Sequence, residues 1–154
     1  MEAEALQNAV GTLDPDIKPR EKADRAAVAL PAERLASIMR HLRDRPEFAF
    51  DMLEFHTAID WLAENRFELV YNLYSMKHRH CLLVTTSVPR ENAEVETVSD
   101  IWRAAEWQER EVYDMFGVLY DGHPDLRRLL LDDEWSGHPL RKDYVDDFIL
   151  KRPE

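Results

Sequence analysis

Gly-His-Pro occurs twice in the last third of the chain, at 122–124 and 137–139, and each time a leucine and two basic residues follow closely. His123 and His138, with Asp121, Asp132 or Asp133, make a candidate ligand set for a small metal-dependent hydrolase. Arg127–Arg128 and Arg141–Lys142 are candidate phosphate contacts, and Glu109, Glu111 and Asp114 are candidate proton carriers. Each reading has a limit. The histidines lack the H-E-x-x-H spacing or paired cysteines of a specific zinc site, and His78 and His80 in "HRHC" offer two ligands without a third. Glu109 and Glu111, two apart on a helix, point in different directions and cannot share a proton. The sequence holds no P-loop, G-x-G-x-x-G or nucleophile elbow.

The same residue types suit another purpose. The planar arginine fork pairs with carboxylates at two points. Arg, Trp, Tyr and Leu held by Gly-Pro turns describe an interface strap of preset geometry, with no chemistry of its own.

A helix over about 99–116 must position this strap. Thr97 and Asp100 stand in capping-box spacing; Ile101, Ala104, Ala105, Val112, Met115 and Phe116 gather on one side, with Arg103, Arg110 and Asp114 on the other. Gly117 is the expected left-handed stop. Glu109 falls inside the apolar arc, where an unpaired carboxylate is costly, and Arg127 and Arg128 are its expected partners. Upstream, 24–30 reads as a short strand. Pro31 opens a helix with Leu35, Ile38, Met39 and Leu42 on one stripe, and 48–61 reads as a strand with its entry. Segments 66–76 and 80–90 pair as an antiparallel hairpin, followed by the acidic link 91–96. The expected organisation is an N-terminal arm (1–23), either loose or a short frayed helix, an α+β domain (24–117) and an extended tail (118–154) with a short helical possibility at "DLRRLLL".

Composition excludes whole classes. Net charge is −11, which repels nucleic acid and anionic lipid. The single cysteine, Cys81, leaves no internal disulfide and points to a reducing compartment. No apolar run approaches the ~20 residues of a membrane span, and the first residues lack the pattern of a secretory leader.

The run 107–144 resembles a known signature. Its pieces are Glu109-Arg110-Glu111, Asp114-Met115-Phe116-Gly117, Gly122-His123-Pro124-Asp125-Leu126-Arg127-Arg128, Trp135, and Gly137-His138-Pro139-Leu140-Arg141-Lys142-Asp143-Tyr144. It is similar to the C subunit of proton-pumping NADH:quinone oxidoreductase, respiratory complex I, and its plastid and cyanobacterial J relative; with weaker upstream likeness, the resemblance covers about 24–146. It implies an α+β fold, a small mixed or antiparallel sheet packed with helices and followed by an extended irregular tail. That tail would be anchored and docked through the residues just quoted. It implies no flavin, cluster or metal in this chain, while FMN and iron–sulfur clusters reside in partner subunits of a complex that uses NADH and quinone. The implied partners are the large D-type quinone-site subunit and the B- and I-type iron–sulfur subunits, with the membrane contacted only indirectly. The implied location is the cytoplasmic side of a bacterial inner membrane, or the stromal or matrix side in an organelle. The absence of long extensions points to a bacterial or plastid-like form. Glu106 and Val145 stand where the family often has Asn and Pro, and related subunits serve hydrogenases and F420- or ferredoxin-driven complexes.

Overall fold

The computed structural model describes residues 2–21 and 23–147. Its centre is the predicted hairpin, β4 (Arg66–Ser75) and β5 (His80–Pro89). Strand β3 (Met52–Trp61) pairs antiparallel with β4, and the short β2 (Ala27–Ala29) pairs parallel with β5. With β1 (Lys18–Pro19) the order is β1-β2-β5-β4-β3, a mixed sheet in an α+β fold.

Register explains the core. Phe67, Leu69, Tyr71 and Leu73 share one face of β4 and are fully buried, opposite Val88, Thr86, Val84 and Leu82 of β5. The matching positions of β3 are Asp60, Ala58 and His56, so strand alternation carries two polar side chains inward. Helix α2 (Leu35–Asp44) buries the expected stripe of Leu35, Ile38, Met39 and Leu42. Helix α3 (Ala105–Phe116) packs along β3 and stops at Gly117, whose φ is +78°.

Several segments differ from expectation. Residues 3–11 form helix α1 (Ala3–Gly11), whose Leu6 and Val10 belong to the core, and Gln7 ties it to the Ala27 carbonyl. The link 91–96 and the start of the tail pair as a second, parallel sheet, β6 (Glu94–Glu96) with β7 (Leu119–Asp121). Helix α3 begins at Ala105 because the capping box does not form: Thr97 bonds Glu109, and Asp100 pairs with Arg40. "DLRRLLL" is not helical. The amides of Leu129, Leu130 and Leu131 all donate to the carboxylate of Asp114, so they cannot serve an i→i−4 ladder.

Candidate functional site

The polar side of α3 is covered by the tail, and the contacts between them are nearly all directed at backbone atoms. Asp114, fully buried, accepts those three amides and Arg128 Nη1 at 2.7 Å. Burial pushes its carboxyl up, but Arg128 and the three amides outweigh that and hold it below the usual carboxylate range. Arg128 turns its other nitrogen to the carbonyls of Trp135 (2.9 Å) and Gly137 (3.0 Å). Arg110 donates to the carbonyls of Arg127 and Arg128 while its guanidinium lies over Trp107.

The second Gly-His-Pro run closes the end of α3. A helix leaves its last four carbonyls without intrahelical donors. Gly117 N–H serves Tyr113; His138 Nδ1 donates to Asp114 O, Leu140 N–H to Met115 O, and Arg141 Nε to Phe116 O. Burial lowers the pKa of His138, as do Arg141 and Arg128, against the helix carbonyl that favours its proton. Arg141 and Arg90 both lie over the Phe67 ring, which Phe116 meets edge-on. A Cβ at Gly117 would sit 2.6 Å from the His138 ring, and one at Gly137 (φ +85°) 2.9 Å from the Tyr144 ring. Both glycines are therefore fixed by close approach as well as by dihedral angle.

The first Gly-His-Pro run is tied to the first turn of the same helix. His123 Nδ1 accepts the Asp125 N–H, which leaves Nε2 to donate to Glu106 O at 3.0 Å. The two imidazoles are thus committed to backbone carbonyls at opposite ends of α3, and the structure does not bring them together. Among the described residues no group of three His, Cys, Asp or Glu could hold a metal ion. Pro124 is exposed and Pro139 half-buried in their turns.

Glu109 does not pair with Arg127 or Arg128. It is fully buried and accepts from Thr97 Oγ1 and from Val98 N–H (2.8 Å), with His123 Nε2 3.8 Å away. It staples the loop before α3. Burial, partly offset by Thr97 and Val98, pushes its carboxyl up to about 7. Asp114 takes the role expected of Glu109, and the Arg127 side chain stays outside, bonded among the described residues only to Asp125. Glu111 is exposed, so it shares no proton with the inward-facing Asp114.

Two anchors were missed in the sequence. Asp60 of β3 accepts the Lys142 N–H at 2.9 Å and an ion pair from Arg90, which also holds Asp143. Asp60 alternates with Ala58 and His56 on the inner face, a pattern that would have singled it out. Lys142 itself lies over the Trp61 ring, and Tyr144 bonds Asp146.

Residues 28–147 match the family described as "Respiratory-chain NADH dehydrogenase, 30 Kd subunit". The C subunit of the NADH-quinone oxidoreductase of Geobacter metallireducens is 45% identical over 119 residues, 76% of this chain and 72% of that one. The corresponding C subunit of Moorella thermoacetica is 40% identical over 132 residues, 86% of this chain and 88% of that one. A chain in the structure of an archaeal membrane-bound sulfane sulfur reductase superposes with a TM-score of 0.79 at 29% identity, over 98% of this chain and 94% of that one. A trypsin-resistant fragment (1–134) of Nqo5 gives 0.69, also at 29% identity, over 82% of this chain and all of that one.

Proposed function

The chain belongs to the respiratory-chain NADH dehydrogenase 30 kDa subunit family, and from that membership we propose that it works by position, as a scaffold in the peripheral arm of a proton-pumping NADH:quinone oxidoreductase. It is one subunit of a multi-subunit, membrane-associated respiratory assembly. No helix among the described residues is long and apolar enough to cross a membrane. In this reading the chain carries no cofactor; NADH, FMN, iron–sulfur clusters and quinone belong to its partners. The D-type quinone-site subunit and the B- and I-type iron–sulfur subunits are the neighbours it holds, on the cytoplasmic face of a bacterial membrane or its organellar equivalent.

The observation that carries this reading is the use made of the signature residues. Arg110, Asp114, His123, Arg128, His138 and Arg141 are all spent on fixing backbone. A reaction centre needs polar groups convergent on a space a substrate can enter; these converge on the chain's own amides and carbonyls. What they produce is a rigid irregular surface, and ordering it beforehand lowers the entropic cost of docking.

Affinity purification of the tagged chain from native membranes tests the proposal. Co-recovery of a D-type subunit with an iron–sulfur partner is expected, and recovery of the chain alone would overturn it. The close superposition on a sulfane sulfur reductase chain favours a second reading, the equivalent subunit of a related respiratory complex with another electron donor. The identity of the co-purified electron-input subunit decides between the two.

A further inference from the structure

Both Gly-His-Pro histidines hold the tail in a form that suits a neutral ring. At His123, Nδ1 accepts the Asp125 N–H and Nε2 donates to the Glu106 carbonyl, both at 3.0 Å. An imidazolium has two donors and no acceptor, so a proton on Nδ1 would oppose the Asp125 amide and open the turn. The His123 side chain is 1% exposed, with Glu109 3.8 Å from its Nε2. Because Glu109 keeps its own proton below about 7, it offers a cationic ring no charge in acid. Asp125, the carboxylate of the turn, already pairs with Arg127 and lies 3.9 Å from Arg110. At His138, Nδ1 donates to Asp114 O, a carbonyl that Arg128 also approaches at 3.3 Å. Its Nε2 and Arg141 Nη2 crowd the same side of Gly117, 2.6 and 2.8 Å from where a Cβ would stand, and Tyr113 meets the ring edge-on. A charge on this ring would therefore face two guanidiniums. Burial, Arg141 and Arg128 lower its pKa from the ordinary 6.5, against the Asp114 carbonyl and carboxylate.

We propose that the paired Gly-His-Pro imidazoles are an acid-released latch, which holds the tail along α3 while both rings are neutral and lets it go when they take up protons. A histidine with a lowered pKa stabilises the closed form fully above about 6.5, and that contribution is lost as pH falls through the lowered value. Acid of this strength spares the rest of the molecule. Burial raises the Asp114 carboxyl, but Arg128 and the three amides hold it below 3.8, so its clamp persists at pH 5. In the body, burial keeps His56 neutral down to about 4. The latch is thus a property of the chain's own fold and stands apart from the subunit reading.

The test is NMR of the full-length chain at about pH 7.5 and about pH 5. It reads the protection against hydrogen exchange of the Asp125 and Leu140 amides, which bond His123 Nδ1 and Met115 O. With the intrinsic pH dependence of exchange divided out, that protection is expected to fall by roughly tenfold or more in acid. Amides of β4 and β5 should keep theirs. The ring nitrogen signals of both histidines should report proton uptake over the range in which the two amides loosen. His123→Asn/His138→Asn puts a non-titrating group in place of each Nδ1, accepting at 123 and donating at 138. Tail protection in that variant should be equal at the two pH values. His138→Asn alone should keep the acid response at Asp125 and lose it at Leu140. Wild-type protection that ignores pH, rings that protonate without loosening the tail, or a double variant as acid-sensitive as wild type would overturn the inference. Should the double variant hold no tail at either pH, the coincidence of ring and amide changes in wild type decides.

Discussion

The body and the tail of this molecule are held by different physics. In the body, alternating strand residues and two helix stripes bury Phe67, Leu69, Tyr71, Leu73, Leu35 and Met39, and stability follows apolar area removed from water. In the tail beyond β7, Leu126 and Leu131 only lean on the core, and order comes from hydrogen bonds between buried charged side chains and backbone. Burial can be approached by many sequences of similar volume. A clamp of directed bonds on buried charges tolerates few changes, because every deletion strands a partner. The contrast teaches why so much polar chemistry can crowd one region without an active site: each group substitutes for secondary structure that the segment lacks.

Breaking the clamp at its centre should separate the two regions most sharply. Asp114→Ala leaves Arg128 and three amides without their acceptor, and a loss of about 3–5 kcal/mol is expected. The readout is rapid proteolysis within 122–147 and loss of co-purification, while far-UV circular dichroism retains the sheet. Cleavage at the wild-type rate would show that Asp114 is not the centre.

Glu109 sharpens the comparison from the body's side. Its carboxyl titrates at about 7 in the fold against an ordinary 4.5, so between those values the native state holds the extra proton. Its favourable contribution is complete below about pH 4.5 and is lost as pH rises through 7, a change of about 3 kcal/mol. Because burial holds His56 down at about 4, which stabilises the fold in the opposite sense as pH rises, the readout is the difference: from pH 5 to pH 8 the denaturant midpoint of wild type should fall relative to that of Glu109→Gln. Parallel curves for the two would refute the assignment.

Gly117→Ala forces a side chain into φ +78° and against His138 and Arg141, at a cost of about 1–3 kcal/mol. Chemical-shift changes should concentrate at 138–141, and an effect confined to α3 would count against the tail's contact there. The smallest effect belongs to Arg127→Ala. The side chain is 67% exposed and, among the described residues, bonds only Asp125, so the isolated chain's melting temperature should not move; any loss of co-purification would then report a partner contact.

Periodicity made the body legible. The stripe of α2, the hairpin alternation and the stop at Gly117 are local signals, and each formed where expected. The tail anchor was half legible. Arg110 and Asp114 were placed correctly on the polar side of α3, but a helical wheel cannot tell water from a second layer of chain, so nothing in it marked Asp114 as fully buried. Glu109 was correctly singled out as inward, yet its partners came from the preceding loop. Strand β7 and the core role of α1 were lost because three residues, or one short helix, carry too little pattern.

The end of α3 has one more consequence, for the chain as it is made. Three of the helix's last carbonyls are served by His138, Leu140 and Arg141, none of which exists when Phe116 is added to the growing chain. At about 5–20 residues per second, that terminus stays open to water for on the order of a second or more. A nascent chain cut short before His138 would never close it, leaving the domain without the finish that its final stretch alone can supply.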